Sequence, residues 1–279
     1  MEPIKNTAPG MRKMLLIASI LVFSIGVSLF LLTEYTDLYF AWTIKSPVTA
    51  AFLGACYWAS GVLELAASRE KAWINARSSV PAVWVFTSIT LIVTFLHWDR
   101  FHFSAPRFIT VLGTWVWVGV YLFVPVILGF LWLRQVLKKG AHPNPAPPLL
   151  SWMRGSLGLM SLLLFPLGIS FLLFPNAASS LWAWDLTPLT ARATGAWLVG
   201  WAVLFGCCAW ENNLRSARTT FLTLIALSLF VGIAIFRFPQ SVDWQGPSGW
   251  TMLLLLAAFA LIGTWGLALQ ARIRTDALP

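Results

Sequence analysis

Charge is what this sequence has least of. Only 10% of its 279 residues are Asp, Glu, Lys or Arg, where a soluble domain carries about 25%. A chain this poor in charge cannot cover a globule with water-compatible surface, which excludes an ordinary soluble enzyme. Cysteine is almost as scarce. Cys56, Cys207 and Cys208 all fall inside apolar runs, the last two adjacent, with no CxxC or Cys/His spacing. That excludes a disulfide scaffold and a zinc ribbon, and leaves small apolar residues packing between helices. The motifs of soluble chemistry are missing too: there is no P-loop, no GxGxxG, no HExxH and no Ser/His/Asp order. No lysine lies deep in an apolar run, where a Schiff base would need one.

What the chain does have is long hydrophobic runs, and 58% of its residues are hydrophobic. Met14–Leu32 is long enough to cross a bilayer core of ~30 Å. It is too long for a signal-peptide core and has no small-x-small cleavage site, so it is expected to remain as a first helix. Seven more runs follow, near Pro47–Ala67, Val80–Leu96, Phe108–Leu133, Leu157–Phe174, Pro188–Cys208, Thr220–Phe236 and Trp250–Leu269. The expected fold is an all-α integral membrane protein of eight transmembrane helices. Pro47 and Pro188 suit a first helical turn, where the missing N–H costs nothing. Pro125 and Pro166 fall inside runs and should kink them. Seventeen tryptophans suit the headgroup region.

Basic residues give an orientation. With the N-terminus in the cytoplasm, Lys5, Arg12, Lys13, Arg69, Lys71, Arg77, Arg134, Lys138, Lys139, Arg154, Arg215, Arg218, Arg272 and Arg274 lie inside. Only Lys45, Arg100, Arg107, Arg192 and Arg237 lie outside. The positive-inside rule then puts both termini in the cytoplasm and the chain in the plasma membrane. The +9 net charge reads as topology and contact with anionic lipid, not nucleic acid, because it forms no continuous basic segment.

The chain also repeats itself. WTIKSPVTAAFLGA and WDLTPLTARATGA share Pro-x-Thr-Ala-x-x-x-Gly-Ala: Pro47, Thr49 and Gly54 in the first, Pro188, Thr190 and Gly195 in the second. Ala72-Trp73-x-Asn75 is echoed by Ala209-Trp210-x-Asn212, and Arg100-Phe101 more loosely by Arg237-Phe238. The expected organisation is a tandem parallel repeat. Residues 1–137 form one four-helix half and 152–279 the other, joined by a Pro-rich cytoplasmic linker over 138–151. The shared motif could line a substrate path between the halves, but close helix packing by small residues is the favoured use.

Candidate functional residues are few. Thr87, Thr90, Thr94 and His97 share a helical face, leading to His97-Trp98-Asp99-Arg100-Phe101-His102. His97, Asp99 and His102 offer proton, headgroup or cofactor chemistry at a membrane edge. Their spacing does not set three ligands on one face, so no metal is expected. The plainer reading is a solvated polar cap, with Asp99 paired to Arg100 or Arg107. Glu64 is an intramembrane carboxylate, a relay candidate by default, which could instead reach headgroup water, Arg69 or Arg77. Arg192 stands where the first copy has Ala51, and could contact an anion or headgroup, or pair with Asp185 or Asp243.

Three classes of function remain. The first is binding or passage of a small or lipidic molecule between two pseudo-symmetric halves. The second is a membrane-embedded enzyme or cofactor-binding subunit using His97, Asp99 and His102. The third is an accessory subunit bound to another membrane protein. No cofactor can be named. The expected partners are the bilayer, a small or lipidic ligand, or a second membrane protein.

Overall fold

The computed structural model describes residues 3–141 and 146–275. Eight long helices dominate it: α1 (Pro9–Phe30), α2 (Pro47–Arg69), α3 (Ser79–Leu96), α4 (Phe108–Leu137), α5 (Ser151–Leu173), α6 (Pro188–Glu211), α7 (Arg218–Arg237) and α8 (Pro247–Thr275). All eight are long and apolar enough to cross a membrane, so the chain is a multi-pass membrane protein. No strand forms among the described residues. In a bilayer core every backbone group must be satisfied within the segment, which a helix does and an open strand does not.

The helix ends follow local chemistry. Ser46 accepts from the Thr49 N–H at the start of α2. Thr187 and Thr190 form a reciprocal capping box at the start of α6, and both helices place proline in the first turn. The recurring Ser/Thr-Pro-x-Thr word is therefore a helix-starting device. Asn212, at φ 46°, ends α6 in the left-handed region. Several helices outrun their hydrophobic stretches: α1 begins at Pro9, α4 ends at Leu137 and α5 begins at Ser151. Polar residues at membrane edges continue a helix while water satisfies the last turn. Pro125 and Pro166 lie inside α4 and α5, which continue through them. The linker between α4 and α5 is not helical where it is described, and residues 142–145 lie outside the described residues.

The bundle has an inner and an outer layer. In the most apolar stretches of α2 and α6, 78% and 67% of residues are buried, against 28–33% in α1, α4, α5 and α8. α3 and α7 are intermediate. α1 packs on α2 and α5 on α6; α2 packs on α7 and α6 on α3; α3 meets α4 and α7 meets α8. Outer helices show large apolar side chains, such as Val126 at 68% exposed and Leu162 at 73%, which suits a surface wetted by lipid.

The N-terminal segment is stitched to one end of the bundle. Lys5 N–H donates to Ala141 O at 2.8 Å, Thr7 N–H to Lys71 O at 2.8 Å, and Trp73 N–H to Lys5 O at 3.0 Å. Gln135 binds Ala8 N–H and Asn6 O. This end also carries the α6–α7 turn and the end of α8. The opposite end carries the turns after α1, α3, α5 and α7.

The second recurring word does not occupy like places. Trp73 is 3% exposed in a short turn after α2, whereas Trp210 is 87% exposed in the last turn of α6. The two words differ in register from Pro47 and Pro188 by four residues, about one helical turn, so one falls beyond its helix and the other within.

Candidate functional site

The deepest organisation lies where α2, α3 and α6 meet. At the end opposite the N-terminal segment, Trp42, Thr43, Lys45, His97, Asp99, Arg100, Thr187, Pro188 and Leu189 surround a cleft of about 500 Å³. Its walls come from the approaches to α2 and α6 and from the turn after α3. Trp42 and Leu189 also wall a second, much smaller space of about 20 Å³, with Tyr57, Phe86, Thr90, Thr94, Trp117 and Trp197 around it. Phe86 and Trp197 continue to a third space of about 10 Å³ beside Ser60, Gly200 and Trp201. A broken line of space thus descends from the cleft along the inner helices.

The walls are aromatic and packed ring against ring. Trp42 and Trp117 meet edge to face with centroids 4.9 Å apart, as do Tyr57 and Trp197 at 4.9 Å. Phe86 stacks on Trp197 at 3.7 Å. Trp42 is 3% exposed, and its indole N–H finds no acceptor among the described residues. A buried donor left unpaired costs about 1–3 kcal/mol. This donor lies in a side chain shared by the cleft and the smaller aromatic space, where a ligand oxygen or a water would relieve it.

His97 and Arg192, far apart in sequence, come together here. An Arg192 terminal nitrogen lies 2.8 Å from His97 Nε2, which must accept, since guanidinium is always a donor. Arg192 Nε donates to Leu172 O at 3.0 Å. Arg192 is therefore held by the end of α3 and the end of α5, and not by Asp185 or Asp243. A short apolar reach inside the membrane edge makes the imidazole a nearer partner than an aqueous carboxylate. Partial burial, and then the positive Arg192, push the His97 pKa below 6.5, which keeps the ring neutral and able to accept.

The rest of the expected cluster disperses. Asp99 pairs with Arg100 at 3.0 Å, both side chains at least 70% exposed, so it does not orient His97. His102 bonds Thr43 Oγ1 at 2.9 Å and Phe40 O at 3.1 Å, which fastens the turn after α3 to the approach to α2. Among the described residues, no three His, Cys, Asp or Glu side chains gather as a metal ion would require. Thr87, Thr90 and Thr94 are buried, and each hydroxyl donates to a carbonyl one turn back. Thr94 also accepts from Trp117 Nε1 at 3.1 Å. Thr90 and Thr94 reach the aromatic cavity.

Glu64 is neither at headgroup water nor paired with Arg69 or Arg77. It is 2% exposed, and Ser60 Oγ donates to its Oε1 at 3.0 Å. Arg77 is taken by Glu211 at 2.6 Å, a pair that ties the α2–α3 turn to the end of α6. Gly54 and Gly195 are close-approach points inside their own stretches of chain. A Cβ on Gly54 would lie 2.6 Å from Phe30 N at the end of α1, and one on Gly195 would lie 2.8 Å from Gly168 O in α5. Neither lines the cleft.

Sequence reasoning missed Tyr57, Ser60 and Tyr121. Tyr57 Oη and Tyr121 Oη are 2.6 Å apart in the buried bundle. The signal was available, because Tyr57, Ser60 and Glu64 recur at spacings of three and four and share one stripe of α2. Comparison of the chain with protein-family models, curated proteins and solved structures finds no match.

Proposed function

We propose that this protein binds, or passes, a small molecule through a site between two pseudo-symmetric halves of the bundle, entered from the cleft. The observation that carries this is the shared wall of cleft and aromatic cavity, with its buried, unpaired Trp42 indole N–H. Lys45 at the mouth, where Arg100 is balanced by Asp99, and Arg192 behind His97 favour a ligand with an anionic group. The tryptophan, tyrosine and phenylalanine walls below favour an apolar or aromatic body. A lipid-derived molecule of this kind is included.

The two halves are tandem copies in this reading. The packing order supports it: α1 on α2 matches α5 on α6, α2 on α7 matches α6 on α3, and α3 with α4 matches α7 with α8. Gly54 against α1 and Gly195 against α5 match as well. Each half gives its second helix to the other half's third, so a site on the pseudo-axis is enclosed by both. The basic residues favour a cytoplasmic N-terminal end and an outward-facing cleft, in the plasma membrane. The chemistry is one-sided, because Phe238, which closes α7, stands where His97 closes α3, and Phe205 stands where the first half has Glu64.

The test is a binding screen on purified protein. Small carboxylates and phosphates, each with aliphatic and aromatic bodies, are scored by thermal shift and native mass spectrometry. Ligands that stabilise the wild type should lose at least about tenfold in affinity, roughly one lost hydrogen bond, in Arg192→Gln and in Trp42→Phe, which keeps an aromatic ring and removes the donor. Hits bound equally well by both variants would place the site elsewhere.

A further inference from the structure

Glu64 Oε2 is a buried polar atom with no hydrogen-bond partner among the described residues. Glu64 makes no ion pair among them either. Of the helices that cover α2, α1 carries Arg12 and Lys13 near its start, with Arg12 Nε donating to Ser68 O at 2.9 Å one turn beyond Glu64, and no titratable side chain from Met14 to Phe30. α7 carries Arg218 and Arg237 at its two ends and none from Thr219 to Phe236. α3 has none over its whole length. α4 supplies Tyr121 and, in its last turn, Arg134; α2 itself holds Cys56, Tyr57 and its final residue Arg69; and α6 holds Cys207, Cys208 and Glu211 toward its far end and Arg192 at the cleft. A bare carboxylate in such surroundings is expensive unless something neutralises it. The space beside Ser60 is about 10 Å³, near the lower limit for one water and too small for a hydrated cation. A proton is the cation that fits.

A route for that proton is laid out in polar groups. The 20 Å³ cavity below the cleft has room for a single water and reaches Tyr57, whose hydroxyl meets Tyr121. Ser60 follows one turn on and touches both the third space and Glu64. Toward the N-terminal end, Ser79 meets Thr219 at 3.2 Å and Arg77 meets Glu211 at 2.6 Å, and a separate cleft of about 270 Å³ beside Glu70, Asn75 and Arg218 is not lined by Glu64. We propose that Glu64 is a proton-binding site, filled and emptied from the cleft by way of Tyr57 and Ser60, and that its proton is the ion coupled to the ligand of the cleft. This rests on the reading of the cleft given above.

Infrared spectroscopy of the whole protein in lipid tests the proposal without any ligand, so its failure is distinct from failure of the binding screen. The wild type at neutral pH should show the C=O stretch of a protonated carboxyl. Glu64→Gln should lose it and His97→Phe should keep it. Exchange into D2O should shift the band, because the proton reaches water. If Glu64→Gln does not fold, carboxyl-13C glutamate in the wild type should move the same band, whereas labelled aspartate should not. A spectrum showing only ionised carboxylates overturns the proposal. So does a protonated band that stays fixed in D2O, which would mark an inert buried acid.

Discussion

Replacing Gly54 by alanine adds one methyl group, and the structure says what it meets. The new Cβ would lie 2.6 Å from Phe30 N, 2.8 Å from Phe30 Cβ and 2.9 Å from Phe30 Cα. Carbon contacts are comfortable at about 3.5–4.0 Å, so the end of α1 must retreat by about 1 Å. No rotamer change relieves a clash with backbone. Overpacking of this kind costs about 1–3 kcal/mol. A Cβ on Gly119, by contrast, would meet nothing within 4 Å, and alanine there should be neutral or gain up to about 1 kcal/mol in helix propensity. Reversible unfolding in detergent mixtures, followed by circular dichroism, compares the two. Gly54→Ala should be less stable than Gly119→Ala by at least about 1 kcal/mol. Gly195→Ala should resemble Gly54→Ala, since its Cβ would meet Gly168 O at 2.8 Å and Phe171 Cβ at 2.9 Å. Equal stability of Gly54→Ala and Gly119→Ala would refute the close approach of α1 to α2.

Single contacts elsewhere set three further outcomes. His97 has a pKa lowered by burial and by Arg192, so the unfolded chain binds its proton more readily than the folded one. That contribution to stability is whole above pH 6.5 and is lost as pH falls from 6.5 through the lowered folded value. His97→Phe should flatten this part of the stability–pH curve while leaving insertion intact, and an unchanged curve would contradict the His97–Arg192 contact. Arg77→Ala leaves the Glu211 carboxylate, 7% exposed, without its cation; a double-mutant cycle with Glu211→Gln should give a coupling of about 1–3 kcal/mol. Single cysteines at Ser241 and Lys139, in a protein freed of native cysteines, should label and fail to label respectively with an impermeant reagent on intact cells; the reverse pattern would invert the orientation.

Much of the fold was legible because a bilayer makes simple demands. Eight runs of apolar residues became eight helices, since length and hydropathy alone decide what can cross. Pro47 and Pro188 marked helix starts because a first turn tolerates proline. The site was harder to read. His97 and Arg192 were each singled out, but nothing in their spacing says that the end of α3 meets the start of α6. Asp99 and His102 looked like partners of His97 because they are near in sequence, yet a short turn sends the three side chains to Arg100, to Phe40 and Thr43, and to Arg192. Glu64 looked able to reach Arg69 or Arg77 because helix ends usually allow it, but Arg77 is taken by Glu211 and the arginine that α1 lays over α2, Arg12, bonds Ser68 O instead. Trp73 and Trp210 shared a word and not a place, because a sequence word does not carry its register along the helix.

Whether the aromatic cavity is reached from the cleft decides most directly between a ligand site and plain helix packing. Ala193 lines that cavity, and Lys45 lines the cleft above it. In a protein freed of native cysteines, Ala193→Cys should react with a small anionic methanethiosulfonate applied to the outside of intact cells, more slowly than Lys45→Cys but to completion. A ligand found in the binding screen should slow the reaction at Ala193→Cys. Full reaction at Lys45→Cys with none at Ala193→Cys, under conditions where the unfolded protein labels at both, would contradict a site between the halves.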